Sequence, residues 1–375
     1  MALLKGSAPI SDLYFTPGKP PLAEINGKLV AAGTSRALTP DDTKRIAFDL
    51  MGSNQHALEN LKERGSCDVS YSLPSAHRFR VNVFVQRGAH AVVMRVIPAK
   101  VPDLDSLHLP TELNQIVHLR NGIVLVTGPT GSGKSSTLAA IIDKINRDQS
   151  YHVLTIEDPI EFLHSHKSCI VHQRELHSDT PSFALALRAA LRQAPKVILV
   201  GEMRDKETIE IAMEAAETGH LVLSTLHTID ASKTVERIVG AFPMGEQHTL
   251  RNRLAKSFRY IISQRLVPRQ DGAGRVAVIE ILKSTLRTRD YVEKGESEGK
   301  TLLEAMNDGT QDGMQTFDGD IQRLIREGTL DMKTGLAYAT NPNNLELELS
   351  DLKLEAKTEP QVEADPLLET AEGSG

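Results

Sequence analysis

Between the apolar run "NGIVLVTG" and an amphipathic stretch over residues 134–147 stands the octapeptide "GPTGSGKS", residues 128–135. Few segments so short restrict a fold so strongly. The spacing G-x-x-x-x-G-K-[ST] works where a buried strand stops, the backbone curls inward and a helix begins, so that N–H groups and the helix N-terminus converge on phosphate oxygens. Gly128, Gly131 and Gly133 permit the inward turn. Lys134 is placed to reach the β- and γ-phosphates and the Ser135 hydroxyl to coordinate Mg²⁺. With Thr130, Ser132 and Ser136 these residues form the candidate nucleotide-binding set for ATP.

The flanking sequence carries the same pattern onward. "YHVLTIE", "KVILVGE" and "HLVLSTLHT" are near-continuous apolar strands, separated by the helical patterns "SFALALRAALRQA" and "KETIEIAMEAAETG". Such alternation implies an α/β fold with a parallel sheet covered on both faces. Upstream, "SDLYFTPGKPPLAEINGKLV" reads as short strands around Pro-Gly and Asn-Gly turns. "DDTKRIAFDLMG" and "QHALENLKERG" read as glycine-terminated helices, and the residues up to 98 as further antiparallel strands. The expected organisation is an α+β domain over 1–98, a proline-spaced linker over 99–110, and the α/β core with C-terminal helices over 111–345. An acidic tail over 346–375 is expected to be disordered.

Composition narrows the function. The net charge is −6 and tryptophan is absent, which disfavours a protein that wraps phosphates or stacks bases, so no nucleic acid partner is expected. The apolar runs are of strand length, too short to span a bilayer. "MALLKGSAPI" has no leader pattern, and Cys67 and Cys169 are isolated, so a reduced, cytoplasmic protein is expected.

Other strand ends carry the remaining chemistry. Ligands of open parallel sheets bind beyond the carboxyl ends of the strands. "KVILVGEMRD" ends there in Glu202, suited to hold Mg²⁺ through water, or alternatively to pair with Arg204 or a neighbouring lysine. "HLVLSTLHT" delivers His227 after a Ser-Thr pair. "VLTIEDPIEF" ends in Glu157, Asp158 and Glu161, whose mutual repulsion needs a cation or an acidic proton nearby. Glu161 has the loop freedom to orient an attacking water, while Glu157 and Asp158 fix the loop or the metal shell.

Together these segments resemble the PilT family of type IV pilus motor ATPases, within the secretion ATPase superfamily. The resemblance covers roughly residues 10–345 and includes "RFRVNVFVQRG", "IEDPIEF", "ILVGEMRD", "TGHLVLSTLHT" and "GMQTFD". It implies a PAS-like N-terminal domain, a RecA-like core and a homohexamer acting on a pilus through an inner-membrane platform protein, peripheral to that membrane. It also implies Glu161 as general base, Glu202 as the metal-side carboxylate, His227 as γ-phosphate sensor, and Arg80 and Arg95 as arginines reaching nucleotide from the N-terminal domain. The function implied is ATP-driven pilus retraction in twitching motility. An accessory, PilU-like subunit working with a paralogous pilus ATPase is the alternative, and a nucleic-acid translocase a more distant one. The family's "AIRNLIRE"-type signature is not reproduced at "STLRTRDYVEKG", and the CxxC pairs of extension ATPases are absent. "LRNRLAKSFRYIISQRL", residues 250–266, reads as one amphipathic helix with a basic face, either solvated or a contact surface.

Overall fold

A computed structural model describes residues 10–350, apart from 26, 33–34, 74–76 and 99. Two sheets organise the chain. The first belongs to strands β1 (Ile10–Phe15), β2 (Leu22–Ile25), β3 (Lys28–Ala31), β4 (Ser66–Leu73), β5 (His77–Gln86) and β6 (Ala89–Ile97). They pair antiparallel throughout, in the order β3-β2-β1-β6-β5-β4. Helices α1 (Pro40–Met51) and α2 (Gln55–Arg64) cover one face. Each starts at a side-chain cap: Thr39 and Asp42 form a reciprocal capping box, and Asn54 accepts the Ala57 N–H. Alternation along β5 sends Phe79, Val81 and Val83 into the core with Ala47, Met51, Ala57 and Leu61. Arg80 therefore lies on the opposite, exposed face.

The second sheet runs β13-β12-β7-β11-β10-β8-β9. Its strands are β7 (Gly122–Thr127), β8 (His152–Glu157), β9 (Ile170–Glu175), β10 (Val197–Val200), β11 (Leu221–Leu226), β12 (Phe258–Pro268) and β13 (Arg275–Lys283). All neighbours are parallel except β12 and β13, so one edge departs from the expected parallel sheet. Five helices accompany these strands: α3 (Lys134–Asp148), α4 (Phe183–Ala190), α5 (Lys206–Glu217), α6 (Ala231–Gly240) and α7 (Met244–Ser257). Along β7, Ile123 and Leu125 enter one core while Val124 and Val126 enter the other, which is why the strand reads as an unbroken apolar run. Helices α8 (Leu286–Lys294), α9 (Leu302–Asp308), α10 (Phe317–Arg326), α11 (Met332–Tyr338) and α12 (Pro342–Glu348) follow.

Three expectations need correction. The 250–266 segment is not one helix: α7 stops at Ser257 and β12 begins at Phe258. Its second half, "FRYIISQRL", is rich in β-branched and aromatic residues and pairs on both sides, with β7 and β13. The described part of the expected linker, 100–110, packs on the core, with Leu104 and Leu109 buried beside α3. The acidic tail does not start at 346. Helix α12 continues through Glu348, with Leu345 and Leu349 fully buried, while 351–375 lie outside the described residues. Among the described residues no helix is long and apolar enough to cross a membrane.

Candidate functional site

The loop after β7 curls back over the start of α3. Gly128 adopts φ 143°, and a Cβ there would lie 2.4 Å from the Gln264 carbonyl oxygen and 2.6 Å from Ser132 Oγ. Only glycine fits so close an approach. The Gln264 side chain braces the loop from β12, donating to the Ser132 carbonyl at 2.6 Å and accepting from Thr137 Oγ1 at 2.8 Å. Reading 250–266 as a surface helix hid this residue, and no sequence signal marks it.

A cleft of about 250 Å³ opens beside the loop, at the carboxyl ends of β8, β10 and β11. Thr130, Gly131, Lys134 and Ser135 line one side. Glu161, Glu202 and His227 line it from the other strand ends, together with Asp158 and Glu157. Gly128, Gly133 and Ser136 shape the loop and the helix start without lining the cleft. Ser132 faces a second groove with Arg265, Leu266 and Tyr338, and its hydroxyl is buried without a hydrogen-bond partner.

The electrostatics of the cleft are coupled. Lys134 Nζ donates to the Gly128 and Pro129 carbonyls at 2.9 and 3.0 Å. Burial pulls its pKa below the ordinary lysine value, and the charges of Glu202 and Glu161 pull it back up. Glu202 is ion-paired with Arg204 at 2.7 Å and stands 3.5 Å from His227 Nε2. The Arg204 pairing weighed from the sequence is thus present, yet Arg204 is 72% exposed and held at its tip, so it can yield to another cation. Glu157 is turned inward: it accepts from Thr155 and Gln173, and burial pushes its pKa up. It therefore fixes the loop. Gly201 lets β10 close on β8, since a Cβ there would press on the Ile156 carbonyl at 3.2 Å. His164 also lines the cleft, its pKa driven down to about 4 by burial, and no motif in the chain singles it out.

Arg80 and Arg95 are not part of this cleft. They are direct cross-strand partners on β5 and β6, with Arg95 bonded to Asp12 at 3.0 Å. Like charges placed opposite one another destabilise a sheet unless an anion answers them.

A family model described as "Type II/IV secretion system protein" matches residues 66–300. The chain belongs to this secretion family. It is 41% identical over 89% of its length to the type IV pilus retraction ATPase PilT of Pseudomonas aeruginosa, covering 95% of that protein. To the type IV pilus ATPase PilU of the same organism it is 39% identical, over 97% of this chain and 92% of that one. A crystal structure of the pilus retraction motor PilT with bound ADP superposes with a TM-score of 0.81, at 41% identity, over 92% of this chain and 97% of that one. The fold of this family member is accordingly an N-terminal α+β domain of PAS-like build and a RecA-like phosphate-loop core.

Proposed function

We propose that this secretion-family chain is an ATP-hydrolysing motor for type IV pilus retraction, acting as a homohexameric ring. One observation carries the reading: Lys134, Ser135, Glu161, Glu202 and His227, drawn from four separate segments, face one cleft. The similarity to PilT over 89% of the chain supplies the pilus context.

In this reading the loop backbone and Lys134 hold the triphosphate, and the start of α3 adds partial positive charge. The Ser135 hydroxyl and the Glu202 carboxylate are hard oxygen donors at the cleft wall and fit a magnesium ion, the glutamate through water. Bound magnesium supplies neutralisation of the charge shared by the β- and γ-phosphates. Glu161, exposed on its loop, orients the attacking water and takes its proton. His227 contacts the γ-phosphate and reports its loss to Glu202, 3.5 Å away. Arg80 and Arg95 come from a neighbouring subunit, where a triphosphate answers their paired charge. The lobes before 98 and after 111 move against each other, and the ring acts beneath an inner-membrane platform protein.

ATP turnover tests the chemistry. Lys134→Ala and Glu161→Gln should each lower kcat by about a hundredfold or more. Wild-type rates in both variants would refute the assignment. The similarity to PilU over 97% of the chain favours a second reading, an ATPase that works only beside a paralogue. Retraction in a cell that has this chain as its sole pilus ATPase decides between them.

A further inference from the structure

We infer that Arg78 and Glu175 form a positioning relay through which the N-terminal domain sets the loop that carries Glu161. The inference rests on the proposed role of Glu161. Glu175 closes β9 and is 2% exposed. Its Oε2 accepts two bonds, from Arg78 Nη2 at 2.8 Å and from the Ile160 N–H at 2.9 Å. Arg78 stands on β5 of the N-terminal sheet, and Ile160 directly precedes Glu161. One buried oxygen thus joins the two domains at the residue next to the water-orienting carboxylate.

The rest of β9 holds the same loop. Gln173 Nε2 donates to the Phe162 carbonyl at 2.9 Å, and Gln173 Oε1 accepts the His164 N–H at 2.8 Å. The Leu176 N–H donates to the Glu157 carbonyl at 2.8 Å. Just beyond the strand, His177 stacks on His56 of α2, with centroids 4.5 Å apart. The contact between domains therefore falls on the element that grips the loop.

Charge explains why this contact can transmit. A neutral acceptor would satisfy the Ile160 N–H. The carboxylate in its place is buried and is answered by a guanidinium from the other domain, also mostly shielded from water. Such a pair tolerates no separation, because the charge left behind is desolvated and unpaired. A shift of the N-terminal domain that draws Arg78 away leaves Glu175 to reorganise, and the Ile160 N–H moves with it. Domain position is thereby converted into the placement of Glu161, where a misfit of about 1 Å costs on the order of a hundredfold in rate.

The test compares Arg78→Met, Arg78→Lys and Glu175→Gln in the full chain by three measurements: ATP turnover, affinity for a fluorescent ADP, and amide hydrogen exchange without nucleotide. Expected for Arg78→Met and Glu175→Gln is a fall in kcat of about tenfold or more, with ADP affinity within about twofold. Exchange should accelerate across 158–162 and stay unchanged across 128–135. Arg78→Lys should recover most of the rate, since it restores the charge. Wild-type kcat and exchange in Arg78→Met would overturn the relay, as would acceleration spread evenly over the chain. If Arg78→Met does not fold, Glu175→Gln decides by the same criteria, because it keeps the size of the side chain and removes only the charge that holds Arg78 and the Ile160 N–H on one oxygen. A wild-type chain without ATPase activity would sink the motor reading alone; the exchange measurement would still decide the relay.

Discussion

Glu280 shows how much a single buried acid does away from the cleft. Its Oε1 accepts from the Ala231 N–H at 2.8 Å and from Ser263 Oγ at 2.9 Å, and Ser263 accepts in turn from Thr127 at 3.2 Å. The last residue of β7, before the phosphate loop, is thereby tied to the start of α6, just past His227. Burial raises the Glu280 pKa to about 7. Between the ordinary carboxylate range and that value the folded chain keeps a proton that the unfolded chain releases. This contribution to stability is complete at low pH and is lost as pH rises through 7, by on the order of 3 kcal/mol. Glu280→Gln keeps a neutral acceptor. Its melting temperature should therefore gain on that of the wild type from about pH 5 to about pH 8. A gap that does not change with pH would show that Glu280 stays ionised. At Gln264, replacement by alanine strands the buried Ser132 carbonyl and Thr137 hydroxyl. It should cost about 1–3 kcal/mol in stability and weaken ADP binding, both measurable by thermal shift with and without nucleotide.

Among the elements, the junction of α7 and β12 shapes the site, and the docking of α10 secures the edge strand β13. Phe258, Tyr260 and Ile262 are buried, and β12 completes a ladder beside β7 that places Gln264 under the phosphate loop. The arginines that made 250–266 look like a helix face are pinned individually. Arg253 forms two bonds to Glu217, and Arg259 donates to local carbonyls and to Asn121. Helix α10 is held on β13 by Asp320, 2% exposed, which accepts the Ile279 N–H at 2.8 Å and two bonds from Arg323. Asp320→Ala leaves the buried Ile279 N–H without its acceptor and Arg323 without its carboxylate. A loss of about 3 kcal/mol is expected in urea unfolding. A loss below about 0.5 kcal/mol would mean that apolar packing alone seats the helix.

At the scale of the whole molecule, the acids of the cleft and the paired arginines stand apart. The cleft holds Glu161 and Glu202, while Arg80 and Arg95 sit side by side on the N-terminal sheet. Ring assembly accounts for the separation if each site borrows arginines from a neighbour. Mixing Lys134→Ala subunits with Arg80→Ala/Arg95→Ala subunits should then restore turnover that neither has alone. At equal mixing about a quarter of the sites carry both functions. No recovery in mixed, re-equilibrated rings would exclude the shared site.

Local chemistry by itself determined the phosphate loop, the apolar strands around it and the capped helices α1 and α2. Each depends on residue type at short spacing: glycine at positive φ, apolar runs buried on both faces, and side chains that cap N–H groups a few residues away. For the same reason Glu161, Glu202 and His227 could be singled out, since each follows a recognisable strand. Tertiary structure decided where the strand "FRYIISQRL" lies in the sheet, because its parallel neighbour β7 is more than a hundred residues away. It alone placed Gln264 beneath the loop and Glu175 between Arg78 and Ile160. Those contacts join residues remote along the chain, and no local pattern records which distant group will meet a buried polar atom once the backbone has closed around it.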